Sequence, residues 1–78
     1  MNENSFDAGG VKVRINAIAV EVLLAKKGLT KTEMAAKATL TKQAVSTILN
    51  RGTCEPKTLG KIASALEVDV SELVAKEG

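Results

Sequence analysis

The chain lacks most of the residues from which metal sites, disulfides and aromatic cores are built. Histidine, tryptophan and tyrosine are absent, and Cys54 and Phe6 are the only cysteine and the only aromatic residue. One cysteine cannot form an intrachain disulfide, and without histidine there is no Cys/His zinc site. The sequence therefore predicts a protein without metal or cofactor, in a reducing compartment, whose core is aliphatic.

Long hydrophobic runs are also missing. The most apolar stretch, AIAVEVLLA (17–25), is short, is interrupted by Glu21 and is followed by Lys26 and Lys27. Such a stretch is too short to cross a bilayer and is not followed by a cleavage site. We expect a soluble, intracellular protein without a membrane partner.

Catalytic constellations are not evident either. No histidine is present, no carboxylates pair in a plausible cleft, and no base lies within sequence reach of Cys54. General acid–base and nucleophilic catalysis both need such groups close together. We therefore expect a protein that is not an enzyme, and we interpret Cys54 as an ordinary loop residue.

The chain has 78 residues and a net charge of only +2, but its charges are unevenly distributed. Between Lys12 and Lys61 there are ten basic and three acidic residues, whereas the flanking segments carry six acidic residues and Lys76. A domain of this size buries only ~60% of its unfolded surface, so a partner subunit would help to stabilise it. A basic middle indicates a polyanionic partner, although a solvated basic surface has the same composition.

Capping signals and apolar spacing predict five helices. Asn16 and Gly28 bound the first, the capping box TKTE (30–33) begins the second, and Thr41 caps the third. Pro56 marks the start of the fourth, and Asp69 with Glu72 forms a second capping box. The predicted helices span about 17–27, 31–38, 42–50, 57–66 and 70–76.

The first helix is the most apolar of the five. We expect its Ile18, Val22 and Ala25 to share a buried face with Leu29. Leu23 and Leu24 would widen that face. The helix is therefore predicted to be mostly buried.

The N-terminal fifteen residues differ from the rest. Residues 1–10 are polar, end in Gly-Gly and show no period, which predicts a flexible arm before a single domain at 11–78. VKVRI (11–15) alternates apolar and charged residues, as a short strand does. It is either an extended lead-in or an edge that pairs with another chain, so residues 1–15 could contact a protein partner.

Two short helices separated by about three residues, the second with a polar outer face, describe a helix-turn-helix. The runs GLTKTEMAAKATLTKQAVSTILNRG (28–52) and EPKTLGKIASALEVDVSELV (55–74) resemble the Cro/phage-repressor, or xenobiotic-response-element, family of DNA-binding domains. The resemblance covers about 16–74. It implies an all-α, compact five-helix lambda-repressor-like domain that regulates transcription by binding double-stranded DNA. It also implies a location in the bacterial cytosol or nucleoid.

The resemblance also implies roles for individual residues. The third helix, 42–50, becomes the recognition helix in the major groove, and near-palindromic operators imply a homodimer on DNA. The dimer contact would come from Val70 and Val74 or from the 11–15 edge. Base contacts are expected from Lys42, Gln43, Ser46 and Thr47, and phosphate contacts from Lys31, Thr41, Asn50, Arg51 and Lys57.

The chain departs from the family pattern at two places. Thr39 stands where glycine is usual, and a β-branched residue is poorly suited to positive φ, so the turn is either strained or rearranged. Leu24 and Leu49 stand where many members pair an arginine with a glutamate. An apolar pair can replace a buried ion pair without loss of stability, so we expect the two leucines to touch.

An alternative function keeps the same fold. The domain could be a protein-interaction module, or an antitoxin-type protein that neutralises a protein partner, with residues 1–15 as the contacting segment. DNA binding at moderate salt separates this alternative from the regulator.

Overall fold

Four helices and a two-stranded antiparallel sheet make up the part of the chain, residues 12–75, that the computed structural model describes. The predicted arm at 1–10 lies outside these residues. In chain order the elements are β1 Val13–Arg14, α1 Ala17–Lys27, α2 Lys31–Lys37, α3 Lys42–Arg51, β2 Thr53–Cys54 and α4 Pro56–Leu66.

The first four predicted helices are confirmed, each within a residue at either end, and their caps form as the sequence indicates. The Asn16 side chain accepts the Ala19 N–H at 3.0 Å. In the capping box, Thr30 Oγ1 accepts the Glu33 N–H at 3.1 Å and Glu33 Oε1 accepts the Thr30 N–H at 2.8 Å. These bonds satisfy amides that have no partner within the helix, which fixes where α1 and α2 begin.

The predicted fifth helix is wrong. Only Val70–Glu72 form a 3-10 turn, and the Asp69 side chain accepts hydrogen bonds from Ser71 rather than forming a capping box with Glu72. Beyond the turn, the Asn16 N–H donates to the Leu73 carbonyl at 2.7 Å, and the Ala75 N–H donates to the Arg14 carbonyl at 2.9 Å. Pairing with the start of the chain thus takes the backbone groups that a helix would have used, and residue 76 lies outside the described region.

The strand predicted at 11–15 forms over Val13–Arg14, and its partner is in the same chain. Val13 pairs with Cys54 and Arg14 with Thr53, in a segment expected to be a loop. On the other side, Ile15 forms an isolated bridge with Val74. Both sides of the described strand are therefore occupied, which contradicts its role as an edge that pairs with another chain.

The predicted buried face of α1 is also wrong. Val20 and Leu24 are buried, whereas Ile18 is 76% exposed, Val22 is 48% exposed and Ala25 is exposed. Apolar residues lie on every side of this helix, so their spacing does not select one face. The backbone bond from Asn16 to Leu73, just before the helix, helps to set its rotation.

The core lies between the four helices and the sheet and is aliphatic, as the composition predicts. Its fully buried side chains come from α1, α2, α3, α4 and the segment after the 3-10 turn: Val20, Met34, Val45, Ile62, Leu66 and Leu73. No polar or charged side chain within residues 12–75 is buried. Apolar burial is therefore the main stabilising contribution.

The turn after α2 adopts a strained conformation at Thr39. Its φ is 60°, in the left-handed region, and the Leu40 N–H donates to the Ala35 carbonyl at 2.8 Å. This is the pattern that usually places glycine after the end of a helix. The same pattern follows α1, where the residue is Gly28 with φ 67°. The turn keeps the geometry that glycine favours, and Thr39 is strained within it.

Replacing this threonine with glycine should stabilise the protein. Thr39→Gly should raise the free energy of unfolding by about 0.5–1 kcal/mol, because glycine adopts positive φ without the clash of a β-carbon. Urea denaturation measures the change. The exposed helical control Ala36→Gly should lower the same free energy by about 1 kcal/mol. A loss of stability in Thr39→Gly would show that the threonine side chain stabilises the turn.

The two leucines that replace the family's charged pair both lie at the core. Leu24 is 4% exposed and belongs to the buried cluster, and Leu49 is partly buried and packs against that cluster. Their direct contact remains a prediction. A double-mutant cycle to alanine should show a coupling free energy of about 0.5 kcal/mol or more, measured by denaturant unfolding. Strictly additive effects would mean that the two side chains do not meet.

Candidate nucleic-acid interface

The outer face of α3 is polar because its apolar residues all turn inward. Val45 is buried, and Ile48 and Leu49 are partly buried against the core. The remaining positions form a continuous arc on the other side of the helix. Lys42, Gln43, Thr47, Asn50 and Arg51 in this arc are exposed, and Ser46 is half-buried.

The start of α3 is fixed by Thr41. Its Oγ1 accepts the Ala44 N–H at 2.9 Å, and its backbone has the extended conformation of a helix cap. The hydroxyl is exposed and retains a proton that it can donate to a ligand. The first turn of α3 therefore projects into solvent with Lys42 and Gln43 at its tip.

An open groove of about 460 Å³ runs along one side of this arc. It lies between α3, β2 and the start of α4. Its lining residues are Lys12, Thr41, Gln43, Ala44, Thr47, Ile48, Arg51, Thr53, Cys54, Glu55 and Thr58. The groove is open to solvent and mixes hydroxyl, amide and charged groups, as a surface that contacts a polar polymer does.

The groove brings together only some of the residues predicted from the sequence. Thr41, Gln43, Thr47 and Arg51 line it. The other predicted residues of the arc, Lys42, Ser46 and Asn50, lie outside its lining. The predicted phosphate contact Lys57 lines a second groove, described below, and Lys31 lines neither.

Lys31 is engaged in an ion pair. Its Nζ lies 2.9 Å from Glu21 Oε2, and both side chains are about half exposed, at 44% and 51%. An exposed pair of this kind contributes little to stability. It does place a carboxylate next to the ammonium group, which reduces the net positive charge that Lys31 presents.

Among the groove residues that carry a hydroxyl group or a charge, sequence reasoning missed four: Lys12, Thr53, Glu55 and Thr58. Lys12 reaches the groove because β1 pairs with β2, which places it beside the segment that follows α3. The alternation in VKVRI indicated the strand, but nothing in the pattern identified its partner. The two-residue strand Thr53–Cys54 is too short to give a periodic signal of its own.

Cys54 lies at the base of this groove and is only 5% exposed. Burial raises the pKa of its thiol, the neighbouring Glu55 carboxylate raises the pKa further, and the ammonium of Lys12 partly opposes both. A thiol with a raised pKa stays protonated at neutral pH and is a poor nucleophile. Cys54 therefore acts here as a small packing residue.

The described region contains neither a metal-ligand cluster nor a transmembrane helix. Within residues 12–75, no group of three histidine, cysteine, aspartate or glutamate side chains is placed to hold a metal ion. None of the helices there is long and apolar enough to cross a membrane. The polar groove beside α3 remains the main candidate site.

The helix-turn-helix, the capped third helix and its polar arc together define a class of DNA-binding domain. Residues 19–76 match the family model described as the Cro/C1-type HTH DNA-binding domain. The match covers well over half of the chain, so the protein belongs to this family. No curated protein and no solved structure is significantly similar to the chain.

Proposed function

We propose that the protein binds double-stranded DNA sequence-specifically through α3 and regulates transcription. The observation that supports this most directly is the exposed polar arc of α3. The arc begins directly after the Thr41 cap, where the first turn of the helix projects into solvent. Family membership supports DNA binding independently. A major groove about 12 Å wide accepts a helix of these dimensions.

Base contacts are assigned to the polar residues in the first two turns of α3: Lys42, Gln43, Ser46 and Thr47. A side-chain amide such as that of Gln43 can form two parallel hydrogen bonds to adenine N6 and N7. Lys42 can reach guanine O6 and N7, and Thr47 can contact a base edge or a thymine methyl group. Gln43 and Thr47 are one turn apart on the same side of the helix, so they would read neighbouring base pairs.

Phosphate contacts are assigned to residues around the arc: Lys31, Thr41, Asn50, Arg51 and Lys57. Cations and hydroxyl groups at the edge of a reading helix meet oxygens that are alike in every sequence. Lys12 joins this group, since it lines the same groove as Arg51. These contacts position the helix, whereas the base contacts provide discrimination.

Substitutions should separate the two roles. Gln43→Ala should cost about 1–3 kcal/mol of binding free energy on the preferred site, relax preference at one base pair and barely change the salt dependence. Arg51→Ala or Lys31→Ala should weaken all duplexes alike and reduce the slope of log K against log salt by about one unit. The Lys31 effect should be the smaller, because Glu21 already pairs with that ammonium group. Affinities for a cognate and a scrambled duplex at several salt concentrations measure both effects.

Two results would contradict these roles. If Gln43→Ala weakens both duplexes equally while Arg51→Ala weakens only the cognate one, α3 is rotated on the DNA relative to our assignment. If none of the three substitutions changes affinity, the domain does not act by reading DNA.

We also propose that the protein binds DNA as a homodimer. One recognition helix reads few base pairs, and the exposed apolar side chains of the described region offer a contact surface: Ile18, Val22, Val70 and Val74. The bridge between Ile15 and Val74 places the C-terminal pair near the start of α1. Because both sides of β1 are occupied, the contact is assigned to Val70 and Val74 rather than to the strand.

The dimer predicts the symmetry of the DNA sites. Sequences selected from random duplexes should be near-palindromic, with half-sites about 34 Å apart. Val70→Asp should lower affinity for such a site by weakening the dimer, while affinity for a single half-site stays the same. Sedimentation of the complexes gives the number of chains per duplex. Selected sites without two-fold symmetry, each bound by one chain, would refute the dimer.

A further inference from the structure

A second groove, of about 370 Å³, lies between the end of α2, the turn that follows it and α4. Its lining residues are Lys37, Ala38, Thr39, Lys57, Gly60, Lys61 and Ser64. Only Lys57 among these was assigned a role in DNA binding above. The groove therefore contains basic residues that the reading surface of α3 does not use.

The groove is positively charged, and no ion pair within residues 12–75 neutralises its lysines. Three of its lining residues are lysines, all exposed, and no acidic residue lines it. None of the three lysines forms a salt bridge with a residue of the described region. Three ammonium groups from two helices around one concavity favour an anion there.

Two locally unfavourable residues border the same groove. Gly60 lies inside α4, where glycine costs about 1 kcal/mol relative to alanine. A β-carbon at Gly60 would meet nothing within 4 Å, so packing does not require the glycine. Thr39, across the groove, holds the strained positive φ. Both residues line the groove with its three lysines.

The second groove adjoins the reading surface. Thr39 lines the second groove and Thr41 lines the first, two residues apart in the same turn. Lys57 and Thr58 are likewise neighbours at the start of α4, and they line the second and the first groove respectively. The two grooves therefore adjoin at the turn before α3 and at the start of α4.

We propose that the groove of Lys37, Lys57, Lys61 and Ser64 binds a backbone phosphate of the DNA that flanks the bases read by α3. This assignment rests on the proposed DNA-binding function and extends its footprint. The ammonium groups supply the charge, and the Ser64 hydroxyl can donate a hydrogen bond to a phosphate oxygen. Such a contact adds affinity for longer duplexes without adding sequence preference.

Gly60 gives a direct test in the full chain, because it lines the groove and a β-carbon there meets no atom within 4 Å. Gly60→Glu places a carboxylate among the lysines, and Gly60→Gln is its uncharged match in size. Ala25→Glu adds the same charge at an exposed position of α1, which lines neither groove. Urea unfolding of each variant verifies the fold.

Binding is measured to two duplexes that share the preferred bases. One ends at the bases read by α3, and the other extends about 10 base pairs further on each side, roughly one helical turn. Gly60→Glu should bind the long duplex about three- to tenfold more weakly than Gly60→Gln and reduce the salt slope by about 0.9, the value for one phosphate. The two Gly60 variants should bind the short duplex with equal affinity. The effect of Ala25→Glu on affinity should be the same for the short and the long duplex.

Three results would overturn the proposal. Equal affinities of the two Gly60 variants for the long duplex would show that no phosphate lies in the groove. An equal loss on both duplexes would place the contact within the bases read by α3. Millimolar inorganic phosphate that shifts the amide resonances of Gly60 and Ser64, together with affinity independent of duplex length, would identify a small-anion site instead. Sequence preference in the wild-type protein, and its loss in Gln43→Ala, tests the proposed function separately.

Discussion

The orientation of α3 depends on residues 39–41, the last three of the four residues between α2 and α3. Thr39 reverses the chain through a positive φ, Leu40 is half-buried, and Thr41 caps the first turn of the new helix. Together they turn the apolar side of α3 toward the core and leave its polar arc in solvent. Because both grooves border this turn, a change in its geometry would move the reading surface and the lysine groove together.

A second constraint comes from the pairing of three distant segments. β1 lies between β2 and the residues that follow the 3-10 turn, and it is hydrogen-bonded to both. These bonds position Lys12 beside the end of α3. They also tie the residue before α1 to Leu73, and in this arrangement Ile18 and Val22 are exposed. A few backbone hydrogen bonds thus join segments that are remote in sequence, at the groove beside α3 and at the start of α1.

Local signals in the sequence predicted the features of the fold that depend on local interactions, such as helix starts and turn geometry. The caps at Asn16, Thr30 and Thr41 satisfy amides within three residues, so the starts of α1, α2 and α3 could be read directly. The polar arc of α3 followed from its strongly one-sided apolar spacing. The strain expected at Thr39 likewise followed from the turn and the residue type.

The predictions that failed concern features that depend on interactions between distant segments. The apolar residues of α1 surround the helix, so tertiary pairing rather than spacing selected Val20 and Leu24 for the core. The capping signal at Asp69 was outweighed by the backbone bonds that Leu73 and Ala75 form with the start of the domain. The strand partner of β1 is only two residues long, so its sequence carried no signal.

If α3 and its adjoining grooves face the DNA, the amide resonances of these segments should respond most strongly to the duplex. Amide chemical shifts of the labelled protein can be followed during titration with its selected duplex. We expect the largest shifts at 41–51 and 57–64, with smaller changes over the exposed side of α1. Shifts concentrated on α1, with none in α3, would contradict this expectation and would indicate that the domain contacts its partner through the apolar surface instead.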